Sequence, residues 1–223
     1  MENNFFIEGT ELMGRQLQDK VKYLGDGVRL FPMCKMIHPA NAMLDDHCQL
    51  FDFVFIDAGA ELKIGKYSTL TWYVLIEGGA KTFIGDRVFL GPGTKVLTST
   101  YKLNGYYTVE HLPGDCGATT YGDIVIENDA YIGANCTILP GSKIGEGAVV
   151  GANALVKGTL EPWTIYVGSP CKAIGKRVKP TEERQKQLEQ LNWEDHFNVA
   201  SEIGGGYSKV THIYVAPQIG RAA

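Results

Sequence analysis

An aliphatic residue returns at every sixth position through one long stretch of the chain: Ile126, Ile132, Ile138, Ile144, Val150 and Val156. Four positions after each of the first five stands a small residue, Ala130, Cys136, Ser142, Ala148 and Ala154. Gly follows the aliphatic directly at 133, 145 and 151, where a tight corner wants a residue that tolerates positive φ. A fixed period of this kind marks a repeat architecture, and it accounts for 27 glycines spread too evenly for a linker. The register extends backward in triplets: Leu24, Leu30, Met36; Leu44, Leu50, Ile56; Ile64, Leu70, Ile76; Ile84, Leu90, Val96. Small or β-branched residues again sit four positions on, at Val28, Cys34, Cys48, Val54, Ser68, Val74, Val88 and Thr94. Three hexads make one turn of a triangular prism whose flat strands stack about 4.8 Å per coil, with each aliphatic pointing to the axis. Six such turns are counted.

The first four turns begin at 24, 44, 64 and 84, a period of 20, whereas the last two begin at 126 and 144, a period of 18. The two extra residues always fall between a third hexad and the next first one, and so does the long interruption from 98 to 123. One vertical edge of the prism therefore carries every insertion. Loops on a rigid scaffold are where sites are built, so that edge is the first place to look for chemistry.

The expected organisation is an N-terminal segment over 1–20, the prism with its inserted loop 98–123 over 21–178, and a helix and tail over 179–223. Gly9-Thr10-Glu11-Leu12 suggests a short helix opening, and Pro180-Thr181-Glu182-Glu183 a helix capped by Thr181 and running to about Trp193. Hydrophobic residues at 44% and charged residues at 21% argue against disorder or a coiled coil. A net charge of −4 gives no basic footprint for nucleic acid. No apolar run is long enough for a membrane helix, and Met1-Glu2-Asn3-Asn4 lacks the basic start of a secretory signal, which reads as cytoplasmic. Five cysteines with no C-x-x-C pair read as reduced thiols.

The stretch Ile126-Glu127-Asn128-Asp129-Ala130-Tyr131-Ile132-Gly133-Ala134-Asn135-Cys136-Thr137-Ile138-Leu139-Pro140-Gly141, with Val167-Gly168-Ser169-Pro170-Cys171-Lys172 after it, resembles the signature of the CoA-dependent hexapeptide acetyltransferases of sugars and xenobiotics. The resemblance covers residues 24 to 178. Leu160-Glu161-Pro162-Trp163-Thr164-Ile165-Tyr166 is similar to the ending of acyltransferases that act on nucleotide-linked amino sugars in surface-polysaccharide synthesis. The resemblance implies an all-β chain, a left-handed parallel β-helix of hexapeptide repeats with a long loop inserted at one corner and a C-terminal α-helix. Its handedness comes from the family, since spacing alone does not fix it, and runs against the right-handed crossover rule. Also implied are a homotrimer with active sites between neighbouring prisms, acetyl-CoA or another acyl-CoA as co-substrate, and no metal. By motif position the backbone at Gly133, Ala134, Gly151 and Ala152 would line the pantetheine arm. Lys172, Lys176 and Arg177 would lie near the CoA phosphates, whose oxygens suit Arg and Lys. Lys157 is a further phosphate candidate, although Lys157-Gly158 stands where relatives usually read Thr-Lys.

Many relatives carry a His after Thr-x-x at the start of the inserted loop; this chain reads Thr98-Ser99-Thr100-Tyr101-Lys102. Acyl transfer to a hydroxyl needs a proton acceptor within hydrogen-bond reach, whereas a deprotonated amine attacks a thioester with much less help. Tyr101 at that place tilts the reading toward N-transfer, with backbone N–H groups or Asn104 stabilising the oxyanion. His111 beside Glu110 is the best replacement base, Glu110 orienting it, against the plainer reading of a solvated loop histidine. Lys102, Trp72, Tyr73, Tyr106 and Tyr107 are candidates to touch a sugar or base, while outward aromatics serve equally to cement a trimer. His38 and His47 read as surface or trimer contacts. Cys34, Cys48 and Cys136 read as packed hydrophobes, and Cys116 as the most exposed thiol. The favoured function is transfer of a short acyl group from acyl-CoA to the amino group of a nucleotide-linked sugar. The alternatives are a sugar O-acetyltransferase using His111 as base and a non-enzymatic β-helical assembly protein. A metal enzyme would need three histidines at one interface, and positions 38, 47 and 111 speak against it.

Overall fold

A computed structural model of the chain describes residues 11–102 and 119–190. The hexad register is realised residue for residue. Leu24, Leu44, Ile64, Ile84, Ile126, Ile144 and Leu160 are successive cross-strand partners on a first face. Leu30, Leu50, Leu70, Leu90, Ile132, Val150 and Tyr166 stack on a second, and Met36, Ile56, Ile76, Val96, Ile138 and Val156 on a third. The faces are sheets of seven, eight and seven strands, and all these pairings are parallel. The chain thus forms the expected left-handed parallel β-helix of about six turns. From Met36 upward every axial residue is buried, each contributing roughly 1.5–3 kcal/mol of burial. Leu24 and Leu30, in the bottom coil, are only half-buried. The small slot fills the three corners inside the column: Cys34, Cys48, Val54, Ser68, Val74, Val88, Thr94, Ala130, Cys136, Ser142, Ala148 and Ala154 are all buried.

The corners follow a rule the spacing did not expose. Gly133, Gly145 and Gly151 do not have positive φ; the left-handed residue comes two positions later, at Asn135, Gly147 and Asn153. The same place, three after the axial aliphatic, is left-handed at His47, Phe53, Tyr67, Tyr73, Arg87, Asp129 and Trp163. Hydrogen bonds such as Thr94 N–H to Gly91 O (3.2 Å) and Ala148 N–H to Gly145 O (3.1 Å) close four-residue turns around it. This is the arrangement of a type II turn, which favours Pro just before the left-handed residue, as at Pro92, Pro140 and Pro162. Gly133 has a different reason for being glycine: a Cβ there would lie 2.6 Å from the backbone nitrogen of Ala152 in the coil above.

The ends reverse direction. Glu11–Met13 is a strand rather than a helix opening, antiparallel to Lys35–Ile37, and Gly14–Leu17 is a single 3-10 turn whose Leu17 plugs the bottom of the core. At the other end Lys172–Lys176 runs antiparallel to Thr164–Val167. Residues 180–223 separate from 1–179 as a unit of their own. Within it, α1 (Glu182–Glu189) begins as expected, with Arg184 N–H donating to Thr181 Oγ1 at 3.3 Å. The expected continuation to Trp193 and the tail lie outside the described residues.

Candidate active site

The corner between third and first faces gathers the insertions. In ascending order it holds His38-Pro39-Ala40-Asn41, Ala58-Gly59-Ala60 and Gly78-Gly79-Ala80, then the inserted loop. The described base of that loop is an antiparallel pair, Ser99–Tyr101 against Thr119–Tyr121. Thr98 anchors it: its N–H and Oγ1 both donate to Glu77 O (2.8 and 3.0 Å), and its O accepts from Gly122 N–H at 2.9 Å. Gly78 makes room, since a Cβ there would collide with Ser99 N and Thr98 Oγ1. The Tyr121 ring lies 3.9 Å from where a Gly79 Cβ would be, and Tyr121 is 64% exposed. Tyr101 and Lys102 are exposed on the same hairpin.

Lower on this corner stands a pair that sequence reasoning missed. His38 Nδ1 lies 2.7 Å from Asp57 Oδ1, and the same oxygen accepts from Gly59 N–H at 2.9 Å. Asn41 Nδ2 donates to Gly59 O at 2.6 Å. A carboxylate only accepts, so the proton of this bond belongs to His38 Nδ1, and in the neutral imidazole that leaves Nε2 as the acceptor. The Asp57 side chain is 19% exposed and that of His38 63%, so a sheltered carboxylate aims a solvent-facing imidazole. The sequence signal was available: residues 19 apart in a 20-residue period lie on neighbouring coils.

The residues matched to the CoA motif divide among the corners. Gly133, Ala134, Gly151 and Ala152 line the corner between second and third faces in the upper coils, where Gly133 is buried and Ala152 exposed. Gly133 and Gly151 N–H groups donate to Val150 O (2.7 Å) and Tyr166 O (2.8 Å), and the corner carries only small residues apart from the exposed Asn135 and Asn153. Lys172, paired with Val167, reaches the same corner. Lys176 and Arg177 do not. Lys176 Nζ donates to Thr164 Oγ1 at 2.7 Å, and Arg177 Nη1 donates to Asp129 O (2.7 Å) and Gly147 O (3.1 Å) with its guanidinium 5.5 Å from the Trp163 ring. That network ties three coils together at the corner between first and second faces. Lys157 is exposed at the insertion corner of the top full coil.

Trp72 and Tyr73 share the corner of Gly133, two coils lower. Trp72 meets Phe51 edge-on at 5.0 Å, and Tyr73, 62% exposed, stacks on Phe53 at 5.1 Å. His47 stacks on Tyr67 at 5.0 Å. Several other charges are paired: Arg87 grips Asp129 bidentately (2.7 and 2.8 Å), and Lys66 meets Asp46 at 2.7 Å. Lys143 meets Glu127 at 2.8 Å. The Lys66 contact holds the Asp46 carboxyl below its ordinary value, and the Lys143 contact does the same for Glu127. Burial raises the thiols of Cys34, Cys48, Cys136 and Cys171. Among the described residues no group of three or more His, Cys, Asp or Glu is placed to hold a metal ion. Asn104, Tyr106, Tyr107, Glu110, His111 and Cys116 lie outside the described residues.

Residues 123–158 match the family described as bacterial transferase hexapeptide (six repeats). A protein named "Probable macrolide acetyltransferase" from Lysinibacillus sphaericus is 35% identical over 129 residues, which span 50% of this chain and 71% of that one. The chloramphenicol acetyltransferase of Escherichia coli is 47% identical over 74 residues, about a third of each chain (33% and 34%). Among solved structures, AntD, an N-acyltransferase from Bacillus cereus in complex with dTDP and 3-hydroxybutyryl-CoA, superposes with a TM-score of 0.67 at 25% identity. That match covers 83% of this chain and 94% of AntD.

Proposed function

The chain belongs to the bacterial hexapeptide-repeat acyltransferases, and on that premise we propose that it moves a short acyl group from acyl-CoA to the amino group of a nucleotide-linked sugar. The observation that carries this reading is the likeness to AntD, which extends over 94% of an N-acyltransferase held with dTDP and an acyl-CoA. The acyl-CoA is a co-substrate. Its pantetheine arm lies along the corner of Gly133, Ala134, Gly151 and Ala152, with Lys172 at the same corner for its phosphates. Lys176, Arg177 and Lys157 reach a phosphate only from the corners where they stand, the first two after leaving Thr164, Asp129 and Gly147.

In the reaction the free amine attacks the thioester carbonyl, a C–N bond forms, the C–S bond breaks, and CoA leaves as a thiolate that takes up the amine's proton. Backbone N–H groups or Asn104 stabilise the oxyanion. The site is completed in a homotrimer, in which the insertion corner of one protomer faces the Gly133 corner of its neighbour.

A second reading is favoured by the 47% identity to chloramphenicol acetyltransferase, whose acceptor offers hydroxyls: sugar O-acetylation with His111 as base and Glu110 orienting it. Matched amino and hydroxy forms of a nucleotide-linked hexose, assayed with acetyl-CoA, separate the two. Under the N-transfer reading the amino form is acylated and His111→Ala keeps activity within a few-fold. Acylation of the hydroxy form alone, with a loss of about a thousandfold in His111→Ala, would establish the base-assisted route instead.

A further inference from the structure

Between the Tyr121 ring and His38 the described residues of the insertion corner are small, apart from the exposed Glu77 one coil above Asp57. The ring sits beside Gly79, with Asp57 one corner level lower and His38 two, so ring and imidazole are about 10 Å apart along the axis at 4.8 Å per coil. The wall between them is Ala58-Gly59-Ala60, which projects nothing larger than a methyl. The wall is also fixed. Gly59 N–H and O are both bonded, to Asp57 and Asn41, and a Cβ on Gly59 would lie 2.5 Å from Ala80 O. Among the described residues, an exposed aromatic ring above, a rigid polar floor below, a small-residue wall behind and the Glu77 carboxylate at its side outline a bay the height of one sugar ring with its substituents. An aromatic face packs against the C–H side of a pyranose, and a fixed imidazole nitrogen reads one of its polar substituents.

We propose that this bay is the acceptor-sugar subsite, in which the Tyr121 ring packs on the sugar and His38 Nε2 accepts a hydrogen bond from its hydroxyl or amino group, with Asp57 holding the imidazole. The proposal deepens the function given above and rests on its sugar acceptor. His38 has φ 53°, a conformation Asn tolerates, so His38→Asn removes the imidazole without straining the backbone.

The test measures KM for a dTDP-linked amino-dideoxyhexose and for acetyl-CoA in His38→Asn, Tyr121→Ala and Tyr121→Phe. Thermal melting of each variant checks the fold. The acceptor KM is expected to rise about tenfold in His38→Asn and Tyr121→Ala with the acetyl-CoA KM within about twofold, and Tyr121→Phe is expected to restore it. Unchanged acceptor KM in both, or parallel shifts of both substrates, overturns the subsite. Saturation-transfer NMR of the same sugar nucleotide without acetyl-CoA gives a readout independent of turnover. Saturation of the hexose protons in wild type and its loss in both variants supports the bay even if no acyl transfer is found, a result that would sink the functional reading alone. Absence of hexose saturation in an enzyme that does acylate the sugar overturns the bay and leaves the function standing.

Discussion

Replacing three glycines by alanine separates the two reasons a β-helix corner needs glycine. At Gly133 the added Cβ would stand 2.6 Å from Ala152 N and 3.0 Å from Gly151 C, against the 3.4 Å at which ordinary contact begins. The obstacle is the backbone of the next coil, so the shortfall of 0.8 Å is met only by spreading two coils apart. Overpacking of that kind costs about 1–3 kcal/mol. The 2.7 Å bond from Gly133 N–H to Val150 O weakens with it, adding about 1 kcal/mol, partly offset by the stiffer unfolded chain. Gly133→Ala is therefore expected to lose about 2–3 kcal/mol. Gly141 has φ 75° with nothing within 4 Å, so its alanine meets only the left-handed backbone penalty of about 1–2 kcal/mol. Gly175 has neither constraint, and its alanine should stay within about 0.5 kcal/mol of wild type. Urea unfolding at one fixed protein concentration measures all three. Asparagine sharpens the comparison: it tolerates the left-handed region, so Gly141→Asn should cost less than Gly141→Ala, whereas the larger side chain makes Gly133→Asn worse than Gly133→Ala. A Gly133→Ala protein as stable as Gly175→Ala, or a Gly133 that prefers Asn to Ala, would refute the close-approach account.

Three further outcomes follow from the fold. Ile138→Ala, at a fully buried axial position, should lose about 2–5 kcal/mol of unfolding free energy, while Thr137→Ala on the outer side of the same strand should change it by less than about 0.5 kcal/mol. Asp46 and Glu127 have folded values below their ordinary 3.8 and 4.5, so the folded state binds fewer protons. Their stabilisation is complete above those values and fades as pH falls through the lower folded ones. The double substitution Asp46→Asn, Glu127→Gln should therefore flatten the fall in urea midpoint on acidification below about pH 5. An aromatic disulfide reagent, with Cys116 replaced by Ser, should label Cys171 first. Cys34, Cys48 and Cys136 should react only on unfolding, because they are buried and burial raises their thiols.

What was legible in the sequence was whatever repeats. The axial column, the small slot and the corner bearing the insertions all follow from fixed spacing, because an 18- or 20-residue period sets which residues stack. The left-handed turn position escaped because most of its occupants advertise nothing: Tyr67, Tyr73, Arg87 and Trp163 carry no local sign of positive φ, and the ladder above and below holds them there. The glycines at 133, 145 and 151 pointed to the right corners for the wrong reason, since their neighbours are close in space and remote in sequence. Arg177 looked like a free cation beside Lys176 and Lys172; only the coil stacking reveals that the carbonyls of Asp129 and Gly147 hold it. The His38–Asp57 pair was hidden because each partner is unremarkable until two coils are laid together.

A tower of parallel rungs is, in principle, open to extension at both ends, since the last row of amides and carbonyls can receive another strand in the same direction. Here the second-face ladder ends on Lys172–Lys176 and the third-face ladder starts from Glu11–Met13, both running backwards. A further prism arriving in the forward sense finds a reversed register on those two walls. End-to-end growth into a filament is thereby discouraged, and lateral contact, at the corners where the chemistry is expected, is the direction left for assembly.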